Sequence, residues 1–145
     1  LFGIWNLEFG IGVKIKVEVN QAATNNELIA NSKSQFFRKS WVADYPDAEN
    51  YLSLFKSSNF APDGPNYTHF KNEQFDAWYN QALSETNDSA RLNLYRKMDS
   101  LVISEAPIVP LFYDEVVRFT QPTISGLGVN PMNLLVLKYA NKSTD

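Results

Sequence analysis

The sequence predicts an α/β fold: a mixed sheet with flanking helices and a helical hairpin. Three patterns predict it. Apolar and polar residues alternate over 13–19, a second apolar segment follows a short helix within about 30 residues, and two apolar stripes at helical spacing stand side by side in the second half.

Val13, Ile15, Val17 and Val19 alternate with Lys14, Lys16 and Glu18. Period-two alternation of β-branched residues makes a strand with one buried and one wet face, and Gly10 and Gly12 punctuate its entry. Thr24-Asn25-Asn26-Glu27 has the form of a capping box, in which the Thr hydroxyl accepts from an early amide and the Glu reaches back. A short helix through about Lys33 follows, with Leu28 and Ile29 inward. Phe36-Phe37 and Trp41-Val42-Ala43 then suggest a second strand, and a strand–helix–strand unit of this size favours a parallel pair.

The stretch 44–66 carries Pro46, Pro62, Pro65 and Gly64 among Asp44, Asp47, Asn50, Asn59 and Asp63, the residues of turns. Tyr51, Leu52, Leu54 and Phe55 within it suit one or two helical turns. A helix over 73–84 is capped by Asn72, with Phe75, Trp78, Tyr79, Ala82 and Leu83 as its stripe. The next helix starts after Asn87-Asp88-Ser89 and stops before Pro107, which biases Ala106 out of the α region. Its stripe is Leu94, Tyr95, Met98, Leu101 and Val102, and the short link makes the two an antiparallel hairpin.

Segments 108–113, 116–120 and 134–139 read as strands, the first at an edge or a crossing because Pro110 has no N–H to donate. Residues 121–131, with Pro122, Gly126, Gly128 and Pro131, read as loop, and 141–145 as a polar tail.

Composition sets the outer bounds. The 145 residues suit one domain or one lobe of something larger. Hydrophobic residues at 44% and charged residues at 20% are ordinary for a globular chain. A net charge of −3 is opposite in sign to a nucleic-acid footprint, so no nucleic-acid partner is expected. No cysteine is present, which removes disulfides, thiolate metal sites and a Cys nucleophile. No apolar run is long enough to span a membrane. The apolar start, 1–9, has neither an initiating Met nor a charged leader and reads as the interior of a longer chain.

Few groups suit catalysis. His69 is the sole histidine and is expected as a hydrogen-bonded turn residue. No glycine-rich phosphate loop and no G-x-S-x-G occurs. No cofactor, metal site or catalytic residue is expected, and the chain is read as a non-enzyme. Asp44 and Asp47 form the one carboxylate pair, and a hydrolase using both is the enzymatic alternative. Asp47 also suits a helix cap. Asp44 follows Trp41-Val42-Ala43 and precedes Tyr45. It fits a turn, and equally an ammonium site in which the carboxylate gives charge-assisted hydrogen bonds and the Trp and Tyr faces add cation–π attraction.

Trp41-Val42-Ala43-Asp44-Tyr45-Pro46-Asp47, then Glu49-Asn50-Tyr51-Leu52, resembles the W-x-A-D-Y-P-D-P-x-N-F-L stretch of extracellular solute-binding proteins of the family 5 type, the peptide- and nickel-binding subunits of ABC importers. Ala48 stands where that pattern has Pro. Asn66-Tyr67, Phe75-Asp76, Arg91 with Leu94-Tyr95, Ala106-Pro107-Ile108-Val109-Pro110-Leu111, Gly126 and Gly10-Ile11-Gly12-Val13-Lys14 resemble further family motifs in the right order.

The resemblance implies the C-terminal part of a two-lobed periplasmic binding protein fold of type II. Residues 1–112 would belong to the second lobe, and 113–145 would cross the hinge and return to the first. It implies a peptide as ligand, with Asp44 gripping the α-amino group and Trp41 and Tyr45 at the cleft. It implies ABC transporter permease subunits as partners, an extracytoplasmic (periplasmic) location, a lipid anchor outside this segment, and a monomer. Some members take nickel chelates, haem or sugars instead. With half the cleft outside these residues, the isolated chain is expected not to bind.

Overall fold

Ile4–Glu8 (β1) and Lys14–Glu18 (β2) pair antiparallel, from Ile4 opposite Glu18 to Glu8 opposite Lys14. The computed structural model describes residues 4–8, 14–113, 115, 117–130 and 134–143. Within β2 the expected alternation holds, with Ile15 and Val17 half-buried and Lys14, Lys16 and Glu18 facing water, but Val19, expected on the buried face, lies beyond the strand end and is exposed. Val13, Gly10 and Gly12 lie outside the described residues. The partner strand β1 was not anticipated, because its apolar residues do not alternate regularly. The resulting hairpin replaces the expected parallel pair.

Ala22–Ala30 (α1) begins two residues before Thr24, so the capping box does not form. Gln21 is the N-cap, in extended backbone, and its carbonyl accepts from the Asn25 N–H at 2.9 Å. Ala22 and Ala23, good helix formers, draw the first turn upstream. Asn31, not Lys33, caps the C-terminus. Ser32 sits in the left-handed region (φ 55°), and the Ser32 and Lys33 N–H groups donate back to Ile29 and Leu28. These paired bonds satisfy carbonyls that the helix end leaves over. Ile29 is buried and Leu28 half-buried.

The expected second strand at Phe36-Phe37 and Trp41-Val42-Ala43 is absent. An extended segment becomes a strand only when a neighbouring backbone takes its N–H and C=O groups, and among the described residues none does. Phe36 and Val42 are largely exposed.

The core lies in the helices. Glu49–Leu52 (α2) runs into a 3-10 turn at Ser53–Phe55, as the pattern at 51–55 predicts, and a further 3-10 turn at Ser57–Asn59, not expected from the sequence, follows the extended Lys56. Glu73–Ser84 (α3) and Asp88–Glu105 (α4) form the expected hairpin. The Asn72 Oδ1 accepts from the Gln74 and Phe75 N–H groups at 2.9 and 3.0 Å, and the Asn87 Oδ1 from Ala90 at 3.0 Å. Asn72 also donates to Glu105 at 2.6 Å, tying the start of α3 to the end of α4. Ala106 takes left-handed backbone (φ 50°, ψ 45°) before Pro107 and ends α4.

Phe75, Tyr79 and Ala82 of α3 meet Leu94, Tyr95, Met98 and Val102 of α4, with Leu52, Phe55 and Phe70 closing the cluster. Phe55, Phe70 and Phe75 pack edge to face with centroids 5.7–6.4 Å apart, the arrangement ring quadrupoles favour. Trp78 and Leu101 flank the core. Leu83 departs from the expected stripe: it is 62% exposed.

Beyond Pro107 the expected strands at 108–113, 116–120 and 134–139 do not form among the described residues. Pro107 and Pro110 cannot donate, and Leu111, Phe112 and Tyr113 face solvent without a pairing partner. Asp114, Val116 and Pro131 lie outside the described residues. Pairing appears where loop and tail were expected: Ile124–Ser125 (β3) joins Asn141–Lys142 (β4), antiparallel. Gly126 (φ 78°) makes this possible, since a Cβ there would sit 1.9 Å from the Tyr139 carbonyl oxygen. The chain is therefore a mixture of helix and strand. Both described sheets are two-stranded and antiparallel, and the mixed sheet is replaced by these hairpins plus one parallel bridge, Phe60 with Asn66.

Candidate functional site

The turn-rich segment before α2 folds back on that helix. The half-buried Trp41 indole N–H donates to the Asn50 Oδ1 at 2.7 Å. The Asp44 backbone N–H donates to the same oxygen at 3.3 Å. Asn50 itself is 4% exposed. A buried amide oxygen must find donors, and here they come from the segment carrying the expected site residues.

Asp44 is held by its backbone, and its side chain faces solvent. Among the described residues its carboxylate has no ion-pair or hydrogen-bond partner. Tyr45, half-exposed, donates its hydroxyl to Glu49. That hydrogen bond, followed by partial burial, raises the Tyr45 phenol above its ordinary value, with the Asn50 side chain opposing the rise. Asp44, Trp41 and Tyr45 thus converge on one short turn.

Asp47 takes the other role foreseen for it. Its Oδ1 accepts from the Glu49 N–H at 2.9 Å, at the first residue of α2, and its Oδ2 lies 3.4 Å from Arg91 Nη1 on α4. Arg91 also reaches Asp88 at 3.2 Å. Burial, then the adjoining Asp47 carboxylate, pushes the Tyr95 phenol up to about 12. With both oxygens engaged, Asp47 anchors α2 to α4, and the carboxylate pair imagined for hydrolysis loses one member. The Arg91 link is invisible in the sequence, where the two residues stand 44 apart.

His69 is a hydrogen-bonded turn residue, as expected. Its Nε2 lies 2.8 Å from the Ala61 carbonyl, so it must donate there, and its Nδ1 accepts from the Ser32 hydroxyl at 2.7 Å. This straps the end of α1 to the turn-rich segment. The fully buried Asn66 does similar work: its amide donates to the Lys56 and Phe70 carbonyls at 3.0 and 2.9 Å, and its oxygen accepts from Thr68 and Phe70.

No protein-family model matches the chain. Curated proteins do. Dipeptide-binding protein DppE of Bacillus subtilis (strain 168) is 30% identical over 137 residues, 94% of this chain and 24% of that protein. The probable deoxycholate-binding periplasmic protein YgiS of Escherichia coli (strain K12) is 32% identical over 102 residues, 70% of this chain and 18% of that protein. Oligopeptide-binding protein OppA of Bacillus subtilis (strain 168) is 27% identical over 103 residues, 71% of this chain and 18% of that protein. The chain spans a quarter or less of the length of these relatives. No helix among the described residues is long and apolar enough to cross a membrane.

Proposed function

The chain belongs to the extracellular solute-binding proteins of the family 5 type, and from that premise we propose that the whole protein is the ligand-binding subunit of an ABC-type importer that takes peptides between two lobes. Residues 1–112 contribute to the second lobe and 113–145 cross the hinge toward the first. Permease subunits receive the ligand outside the cytoplasm, and the protein works there as a monomer, held by a lipid anchor carried elsewhere in the chain.

The observation that carries the ligand reading is the state of Asp44: an unpartnered, exposed carboxylate whose backbone is fixed by a buried side chain between Trp41 and Tyr45. A peptide's α-amino group is a cation with three donors. The carboxylate offers charge-assisted hydrogen bonds, and the aromatic faces offer cation–π attraction. An importer of varied peptides must bind what they share, and every free peptide has an amino terminus. Lobe closure strengthens the pair by excluding water, provided that hydrogen bonds satisfy its remaining atoms. Closure also reports occupancy to the permease.

Calorimetry of the whole protein with di- to pentapeptides tests this. Binding is expected, with Asp44→Asn weakening it more than tenfold; unchanged affinity removes Asp44 from the site. A second reading, a non-peptide solute, is favoured by the relative named for deoxycholate. Heat with deoxycholate and none with any peptide would select it.

A further inference from the structure

One buried amide serves two of the three residues of the candidate site. The Asn50 Oδ1 accepts from the Trp41 indole and from the Asp44 N–H. Its own backbone is pinned: the Asn50 N–H donates to the Asp47 carbonyl at 3.1 Å, and its carbonyl accepts from the Ser53 hydroxyl at 2.8 Å. An Asn that merely makes a turn bonds backbone about two residues away. Asn50 instead reaches back six residues to Asp44 and nine to Trp41.

We propose that Asn50 is a positioning residue, which orients the Trp41 indole and the Asp44 backbone so that ring face and carboxylate present themselves to a single ligand ammonium group. The inference rests on the reading of Asp44 as the partner of an amino group. Its physical basis is preorganisation. Cation–π attraction requires the cation over the ring face, and a half-exposed indole free to turn would have to be ordered when ligand arrives. With Nε1 fixed on a buried acceptor, that ordering is complete before binding. Asn50 need not touch the ligand to do this.

The test compares trialanine with N-acetyl-trialanine on the whole protein, by calorimetry, together with hydrogen exchange at the Trp41 indole followed by NMR. In the wild type the indole hydrogen exchanges slowly and trialanine is preferred. Asn50→Ala is expected to speed indole exchange and weaken trialanine binding roughly tenfold, with the weak N-acetyl-trialanine affinity unchanged. Asn50→Asp, which keeps the acceptor oxygen, retains the preference. Asn50→Ser, polar but too short to reach the indole, replaces the alanine variant should that not fold, and is expected to lose the preference as well. A preference undiminished by Asn50→Ala or Asn50→Ser in the folded protein overturns the positioning role, as does fast indole exchange in the wild type. Equal wild-type affinity for the two peptides, with the indole protected, overturns the amino-group reading instead, so the two failures are distinguishable.

Discussion

The Asp47 carboxylate joins two helices: one oxygen accepts from the Glu49 N–H at the start of α2, and the other lies 3.4 Å from the Arg91 guanidinium on α4. The candidate turn is thereby tied to the helical core, and Asn50, three residues on, faces Trp41 and Asp44 from a fixed support. Both partners of the ion pair are about one-third exposed, so its Coulombic worth is small.

Asp47→Ala removes the amide acceptor as well as its ion pair, whereas Arg91→Ala removes the ion pairs to Asp47 and Asp88 and leaves the amide acceptor in place. We expect a loss of about 1 kcal/mol for Asp47→Ala and about 0.5 kcal/mol for Arg91→Ala. Urea unfolding reads both. A larger effect from Arg91 than from Asp47 would show that the helix-start bond matters little.

Phe75 is fully buried among Phe55, Phe70 and Tyr79. Phe75→Ala is expected to cost about 3–5 kcal/mol through lost transfer energy and a cavity. Leu83→Ala, on the exposed side of the same helix, is expected to stay within about 0.5 kcal/mol. Thermal or urea midpoints separate the two, and comparable losses would contradict the placement of the core.

Asn72 caps α3 with two accepted hydrogen bonds and donates a third to Glu105. Asn72→Ala should cost about 1–2 kcal/mol, and Asn72→Ser, which keeps a cap acceptor without setting a second carboxylate against Glu105, should recover most of it. No difference between the two variants would show that the cap is not what Asn72 contributes.

Tyr95 gives a pH signature. Its phenol is raised to about 12 by burial and the Asp47 carboxylate, against an ordinary value of about 10. The folded state holds this proton more tightly than the unfolded state. The associated stability is therefore fully present below about pH 10 and is lost as pH rises toward about 12. Tyr95→Phe is expected to flatten that alkaline loss, read as urea midpoints between about pH 9 and about 11. Identical slopes in the two proteins would rule out Tyr95 as the source.

Local chemistry was legible in the sequence, and pairing was not. The α3–α4 hairpin and its Asn72 cap followed from spacing and cap residues, because a helix satisfies its own backbone. Strands depend on a neighbour. Trp41-Val42-Ala43 and 108–113 have strand-like composition but no backbone beside them among the described residues, whereas Asn141–Lys142, polar throughout, becomes a strand because Ile124–Ser125 lies alongside. Thr24 had the letters of a capping box, yet Ala22 and Ala23 carried the helix past it. At the site, the aromatic and acidic character of 41–47 could be read directly. The convergence of Trp41 and Asp44 on Asn50 could not, since burial of one amide depends on how α2 packs.

The most direct measurement is calorimetric titration of the whole protein, wild type and Asp44→Asn, with one tripeptide carrying a free and then an acetylated amino terminus. Acetylation is expected to weaken binding to the wild type more than tenfold, and Asp44→Asn to lose as much for the free peptide while becoming indifferent to acetylation. Undiminished binding of the acetylated peptide by the wild type would contradict the role given to Asp44.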